Sequence, residues 1–114
     1  MRQHDARVSL ADIAAAADHI QRFTDGRTLA QFGEDRLLSS AIERQLEIVG
    51  EALNRALRAD PALAEVFPEA TRIIGFRNIL AHGYDRVSDV LVWSIATESL
   101  PPLVEKVLGV LQTG

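Results

Sequence analysis

Cysteine is absent from this sequence of 114 residues, and no long apolar run occurs in it. Without cysteine there are no disulfides, no thiolate metal sites and no cysteine nucleophile, so packing alone must hold the fold together. No run reaches the roughly 18 apolar residues of a membrane span, and the N-terminus does not lead into a signal-peptide core. We therefore expect a soluble, unprocessed, cytoplasmic protein with no membrane partner.

Basic residues are also few: the sequence has 12 of them and 16 acidic residues, which gives a net charge of -4. This balance excludes the broad basic surface of a constitutive nucleic-acid binder, so any contact with RNA must be local. The hydrophobic content of 47% is enough for a real core. Because domains commonly run to roughly 100 to 200 residues, we expect residues 1–114 to form a single domain.

Strand signals are missing as well, since neither alternating patterns nor hairpin dipeptides occur. Apolar residues instead recur at helical spacing, which predicts an all-α fold, an antiparallel bundle of four or five main helices. The predicted segments are a helix from Ser9 to near Gly26, a turn at 28–32, a long helix at 36–58, a turn at 62–67, a helix from Pro68 to His82, a helix from Ser88 to Leu100, and a terminal helix after Pro101-Pro102.

Local signals set these boundaries. Ser9 precedes an apolar stripe as a helix N-cap would, and Pro68 suits the first residue of a helix. Pro101-Pro102 is expected to end one helix and begin another. Gly50 lies inside the long helix, a position where glycine is tolerated when another helix packs closely.

A dense polar cluster runs from Arg77 to Tyr84 in an otherwise apolar part of the chain. Asn78 and His82 are four residues apart and therefore share one helix face, so the amide can orient the imidazole. Arg77 and His82 are five residues apart, roughly 140° around an ideal helix. Either their long side chains converge, or two subunits of a two-fold dimer bring such pairs to one cleft.

An arginine and a histidine together suit the cleavage of RNA. Imidazole titrates near pH ~6.5 and can remove the proton of a 2′-hydroxyl, while arginine binds the phosphate bidentately as charge develops on it. On residue spacing alone, a structural role is the stronger interpretation. In that interpretation His82 is a cation at a helix C-terminus, Arg77 lies on the surface, and Tyr84 packs its ring in the core.

Other polar residues have ordinary explanations. Glu43, Glu47 and Glu51 repeat every four residues, but without a Glu-x-x-His pattern they predict no metal site, and Glu51 is expected to pair with Arg55. A contact of Glu47 or Glu51 with Arg77 across a dimer is a further possibility. Three remaining residues carry no site prediction: His4 and His19, which lack a second ligand at suitable spacing, and Trp93, which is assigned to packing or a dimer interface.

The whole chain resembles the HepT-like branch of the HEPN superfamily. That family's motif is an arginine, four to six residues, a histidine, and a tyrosine two positions further on, and Arg77, His82 and Tyr84 match it. The surrounding residues 75–84 and the long-helix segment 41–52 are also similar to the family's. Val92-Trp93 and Leu100-Pro101-Pro102-Leu103 fall in familiar places too.

The resemblance implies an endoribonuclease toxin that acts as a homodimer without metal or cofactor. Arg77 and His82 would be catalytic, and Asn78 would support them. It also implies a partner, a minimal (MNT-type) nucleotidyltransferase antitoxin that uses ATP to adenylylate Tyr84. A bulky anionic nucleotide beside His82 would block the cleft and repel RNA phosphate.

Two other functions stay open at the level of sequence. The helical domain can be a non-catalytic substrate-binding or regulatory subunit of the nucleotidyltransferase, which the acidic net charge slightly favours. It can also be a purely structural dimerisation bundle, which leaves the cluster from Arg77 to Tyr84 unexplained.

Overall fold

The computed structural model describes residues 2–81 and 88–113, and within these two ranges the chain is helical without any strand. The predicted all-α fold is confirmed. The elements are α1 (Arg2–Thr24), α2 (Leu29–Glu34), α3 (Arg36–Ala59), α4 (Leu63–Val66), α5 (Ala70–Ala81), α6 (Asp89–Ser94), a π-helical segment (Ile95–Ser99) and α7 (Leu100–Gln112).

Contacts between distant residues show that neighbouring long helices run antiparallel. Asp12 of α1 pairs with Arg55 near the end of α3, at 3.4 Å. Arg7, near the start of α1, donates to the carbonyls of Val110 and Leu111 at the end of α7, at 3.3 and 2.6 Å. Four long helical stretches therefore form the predicted antiparallel bundle, and Arg7 satisfies carbonyls that a helix end leaves free.

The first helix begins at Arg2, seven residues before the predicted start at Ser9. Ser9 is buried inside the helix and is not its cap. The apolar stripe continues upstream through Ala6, which is buried with Leu10 and Ile13. Packing of the added residues 2–8 against the bundle therefore outweighs the local capping preference of serine.

Capping side chains explain the beginnings of α2 and α3. Thr28 forms a capping box with Gln31, since the Thr28 hydroxyl accepts from the Gln31 N–H and the Thr28 N–H donates to the Gln31 amide. The Asp35 carboxylate accepts from the Leu38 N–H at 3.0 Å and begins α3 at the predicted residue. By contrast, α5 begins at Ala70, two residues after the predicted Pro68.

The prediction that Pro101-Pro102 separates two helices is wrong. Residues 89–112 form one continuous stretch in which the π-helical segment joins α6 to α7. The Leu100 N–H donates to the Ile95 carbonyl five residues earlier, so the turn before the prolines is wider than an α-turn. A wider turn gives the proline rings room where a regular helix would clash with the carbonyl four residues back.

The core consists of the apolar side chains on the inward faces of the long helices, and aromatic rings cover it at the sides. Phe32 of α2 is fully buried, and its ring centroid lies 5.4 Å from that of Trp93. The expected packing role of Trp93 is confirmed. Among the described residues, no helix has both the length and the apolar character that crossing a membrane requires.

Candidate active site

The C-terminal half of α5 carries Arg77 and Asn78 to the edge of α3. Ile73 and Phe76 anchor α5 because both are buried in the core. Arg77 follows Phe76 and is therefore turned along the surface of α3, where its side chain is 27% exposed. Asn78, the next residue, is exposed.

Arg77 is held by two side chains. Its Nη2 donates to Oε1 of Glu51 on α3 at 2.9 Å, and its Nη1 donates to Oδ1 of Asn78 at 3.2 Å. Its Nε is buried and has no hydrogen-bond partner among the described residues. The guanidinium is therefore fixed on one side, and its remaining Nη hydrogens are the donors available to an anion.

Gly50 allows Arg77 to lie this close to α3. A Cβ at residue 50 would lie 2.3 Å from Cβ of Arg77 and 2.6 Å from its Cγ, distances that real atoms do not adopt. The expectation that Gly50 marks a close helix contact is confirmed. The contact also brings Glu51 to Arg77 within one chain, not across a dimer as the sequence suggested.

Two of the glutamates that repeat every four residues along α3 form ion pairs with different arginines. Glu47 pairs with Arg44 at 2.5 Å, and Glu51 pairs with Arg77. The predicted pair of Glu51 with Arg55 is wrong, because Arg55 reaches across to Asp12 on α1 instead. Within residues 2–81 and 88–113, no group of three acidic or histidine side chains is placed to hold a metal ion.

His82 and Tyr84 lie outside the described residues, which stop at Ala81 and resume at Ser88. Their roles, and the orientation of His82 by Asn78, therefore stay predictions from the sequence. The Ser88 hydroxyl accepts from the Leu91 N–H and begins α6, as predicted. Of the four predicted site residues, the structure brings together Arg77 and Asn78, and it adds Glu51, which the site prediction omitted.

Two grooves include a residue that contacts Arg77. One lies between α1 and α3, has a volume of about 340 Å³ and includes Glu51 in its wall. The other lies where α5 meets α4 and the end of α3, has a volume of about 500 Å³ and includes Asn78. Glu51 and Asn78, the two partners of Arg77, therefore each line one of these grooves.

Two carboxylates of α3, Glu43 and Glu51, have shifted pKa values. Burial raises the pKa of Glu43 above the usual value, and the charge of Asp89 at the start of α6 raises it further. Glu51 has the opposite shift, because the hydrogen bond from Arg77 lowers its pKa. Ionised Glu43 therefore costs stability, while ionised Glu51 contributes to it.

We expect Glu43→Gln to stabilise the protein at pH 7 by a small amount, of the order of 0.5 kcal/mol. Because burial raises the pKa of Glu43, its ionisation penalises the folded state as the pH rises above the ordinary glutamate pKa of 4.5, so the gain should shrink and vanish as the pH falls below that value. Urea unfolding at pH 7 and pH 4 measures the difference. Glu51→Gln is the opposite case and should lose stability at pH 7; equal effects of both variants would contradict the assignment.

Fold and site together define an all-α bundle whose arginine centre suits an anion such as a phosphate. The family model described as "Ribonuclease HepT-like" matches residues 13–109. This chain belongs to the HepT-like ribonuclease family, which confirms the resemblance seen in the sequence.

Curated relatives have names of the same kind. "Putative RNase MJ1380" of Methanocaldococcus jannaschii is 32% identical over 109 residues, which cover 94% of this chain and 97% of that protein. "Putative RNase MJ0125" of the same organism is 28% identical over 105 residues, covering 90% of this chain and 88% of that protein. No solved structure gives a significant match.

Proposed function

We propose that this chain is the toxin of a toxin–antitoxin pair, a metal-independent endoribonuclease of the cytoplasm. Arg77 and His82 are its catalytic residues, and Asn78 supports them. The observation that carries the proposal is the Arg77 guanidinium, fixed by Glu51 and Asn78 at the end of α5 in a chain of a ribonuclease family.

The proposed reaction uses the 2′-hydroxyl of the RNA itself as nucleophile. His82 removes the hydroxyl proton, the 2′-oxygen forms a bond to phosphorus, and the bond to the 5′-oxygen breaks and leaves a cyclic phosphate. An imidazolium returns a proton to the leaving 5′-oxygen. Arg77 donates to the non-bridging oxygens, whose charge grows in the transition state.

A homodimer would supply the second imidazole and the second guanidinium. Exposed apolar side chains support this part of the proposal, because Leu37 at the start of α3 is 83% exposed and Val90 at the start of α6 is 62% exposed. Burial of such side chains against a second copy would be favourable. Light scattering of the purified chain tests the dimer.

The proposed antitoxin is a minimal nucleotidyltransferase that adenylylates Tyr84. Incubation with this partner and ATP should raise the mass of the chain by one or more adenylyl groups. Tyr84→Phe should abolish that increase, because it removes the only phenol of the sequence. Modified wild-type chain should no longer cleave RNA, since the added phosphate repels the substrate.

Expression of the chain alone tests the enzymatic function. We expect growth arrest, and RNA cleavage by the purified chain in the presence of a metal chelator. A chain that neither arrests growth nor cleaves RNA would contradict the proposal. The alternative is then a non-catalytic regulatory subunit of the nucleotidyltransferase, which the net charge of -4 favours over an RNA-binding surface.

A further inference from the structure

Glu51 lies outside the Arg77–Tyr84 segment in sequence, but it makes a short contact with Arg77. The distance from Nη2 of Arg77 to Oε1 of Glu51 is 2.9 Å, and the two side chains are 27% and 38% exposed. Partial shielding from water strengthens such a pair relative to one that is fully exposed. The lowered pKa of Glu51 agrees, because the hydrogen bond from Arg77 is its largest cause.

The Arg77 side chain is held at Cβ and Cγ as well as at its guanidinium. Gly50, beside Glu51, lets Cβ and Cγ of Arg77 rest on the backbone of α3. Nε is buried without a partner in the part of the chain that the structure describes. The Nε edge is therefore closed to an anion, and a phosphate must meet the end formed by Nη1 and Nη2.

We propose that Glu51 is a positioning residue, which holds the Arg77 guanidinium so that its Nη1–Nη2 end faces the phosphate being cleaved. This inference rests on the proposed ribonuclease function and extends it to a residue of α3. Oε1 of Glu51 accepts one hydrogen of Nη2 and Oδ1 of Asn78 accepts one hydrogen of Nη1, so each Nη keeps a second hydrogen for bidentate contact with phosphate. A misplaced catalytic group loses rate more than affinity, since binding can occur in several orientations and reaction in only one.

The test compares RNA cleavage by full-length wild type, Glu51→Ala, Glu51→Gln and the control Glu47→Gln. Glu47 lies on the same helix and pairs with Arg44, not with Arg77. For Glu51→Ala we expect kcat to fall on the order of 10- to 100-fold with KM nearly unchanged. Glu51→Gln should recover part of that loss because an amide oxygen still accepts from Nη2, and Glu47→Gln should match wild type.

Other outcomes overturn the inference. If Glu51→Ala cleaves faster or binds RNA more tightly, the carboxylate competes with phosphate and does not position Arg77. If Glu51→Ala and Glu47→Gln behave alike, the contact has no part in the reaction. Thermal unfolding of each variant shows whether a loss reflects the fold, and isosteric Glu51→Gln keeps the test valid if Glu51→Ala unfolds.

A second measurement separates this inference from the proposed function. NMR signals of the Arg77 Nη hydrogens should be resolved in wild type and Glu47→Gln and averaged in Glu51→Ala, because only a held guanidinium rotates slowly. Averaged signals in wild type would overturn the positioning role. A wild-type chain that does not cleave RNA would instead contradict the proposed function, while the signals still report whether Glu51 holds Arg77.

Discussion

Replacement of His82 or Arg77 by alanine is expected to lower RNA cleavage by roughly 10²- to 10⁴-fold, the usual contribution of a general acid or base or of a donor to the transition state. Growth arrest should disappear with either variant. His82→Ala removes the proposed proton acceptor of the attacking hydroxyl. Arg77→Ala removes the cation that Glu51 and Asn78 hold at the end of α5.

Stability must be measured alongside activity, because Arg77→Ala leaves Glu51 without its partner. Arg77→Lys is the sharper variant, since it keeps the charge and most of the stem. A lysine ammonium cannot satisfy Glu51 and Asn78 while it also contacts phosphate bidentately, so we expect a large loss of kcat in a folded protein. Full activity of Arg77→Lys would show that only charge is needed at this position.

The pH dependence of cleavage provides a second check on His82. A base must be an unprotonated imidazole, so the rate of cleavage should fall as the pH decreases from neutral into the acid range. The carboxylate of Glu51 cannot produce this limb, because its pKa lies below the ordinary value. A rate that stays constant from pH 5 to pH 8 would contradict the assignment of His82 as the base.

Helical periodicity predicted the spine of the fold because the buried positions of α3 follow it closely. Leu38, Ile42, Leu46, Val49 and Leu53 are all buried and recur every three or four residues. Side chains at this spacing share one face of a helix, whatever packs against it. The boundaries of α3 could therefore be predicted to within a residue.

Sequence could not predict elements that depend on contacts between distant segments. The first two turns of α1 are helical because Ala6 packs into the core and Arg7 binds the end of α7. The two prolines stay inside a helix because the π-helical segment widens the turn before them. Propensity argues against both features, and tertiary packing decides them.

The candidate site shows the same division. Arg77 and Asn78 stand out in the sequence. Their positions around α5, however, do not tell which residue of α3 they contact. The contact with Glu51 depends on the register of α5 against α3, which is set where Gly50 meets Arg77. Glycine inside a long amphipathic helix was the available signal, since it marks a close approach without naming the partner.

Gly50→Ala is expected to reduce both stability and activity, because the added Cβ overlaps the fixed base of the Arg77 side chain. These atoms cannot move without shifting α5 away from α3. Overpacking of this kind costs about 1 to 3 kcal/mol, which outweighs the gain of roughly 0.5 to 1 kcal/mol from replacing a helical glycine. Gly50→Val should be worse, since it adds two more carbon atoms.

Gly109→Ala is the matched control. A Cβ at Gly109 in α7 meets nothing within 4 Å, so the helix gain should appear alone as a rise in stability. Urea unfolding and RNA cleavage, measured on both variants, separate the effects: Gly109→Ala should be more stable and fully active, Gly50→Ala less stable and impaired. If Gly50→Ala is as stable and active as Gly109→Ala, the close packing of α3 on α5 does not set the position of Arg77.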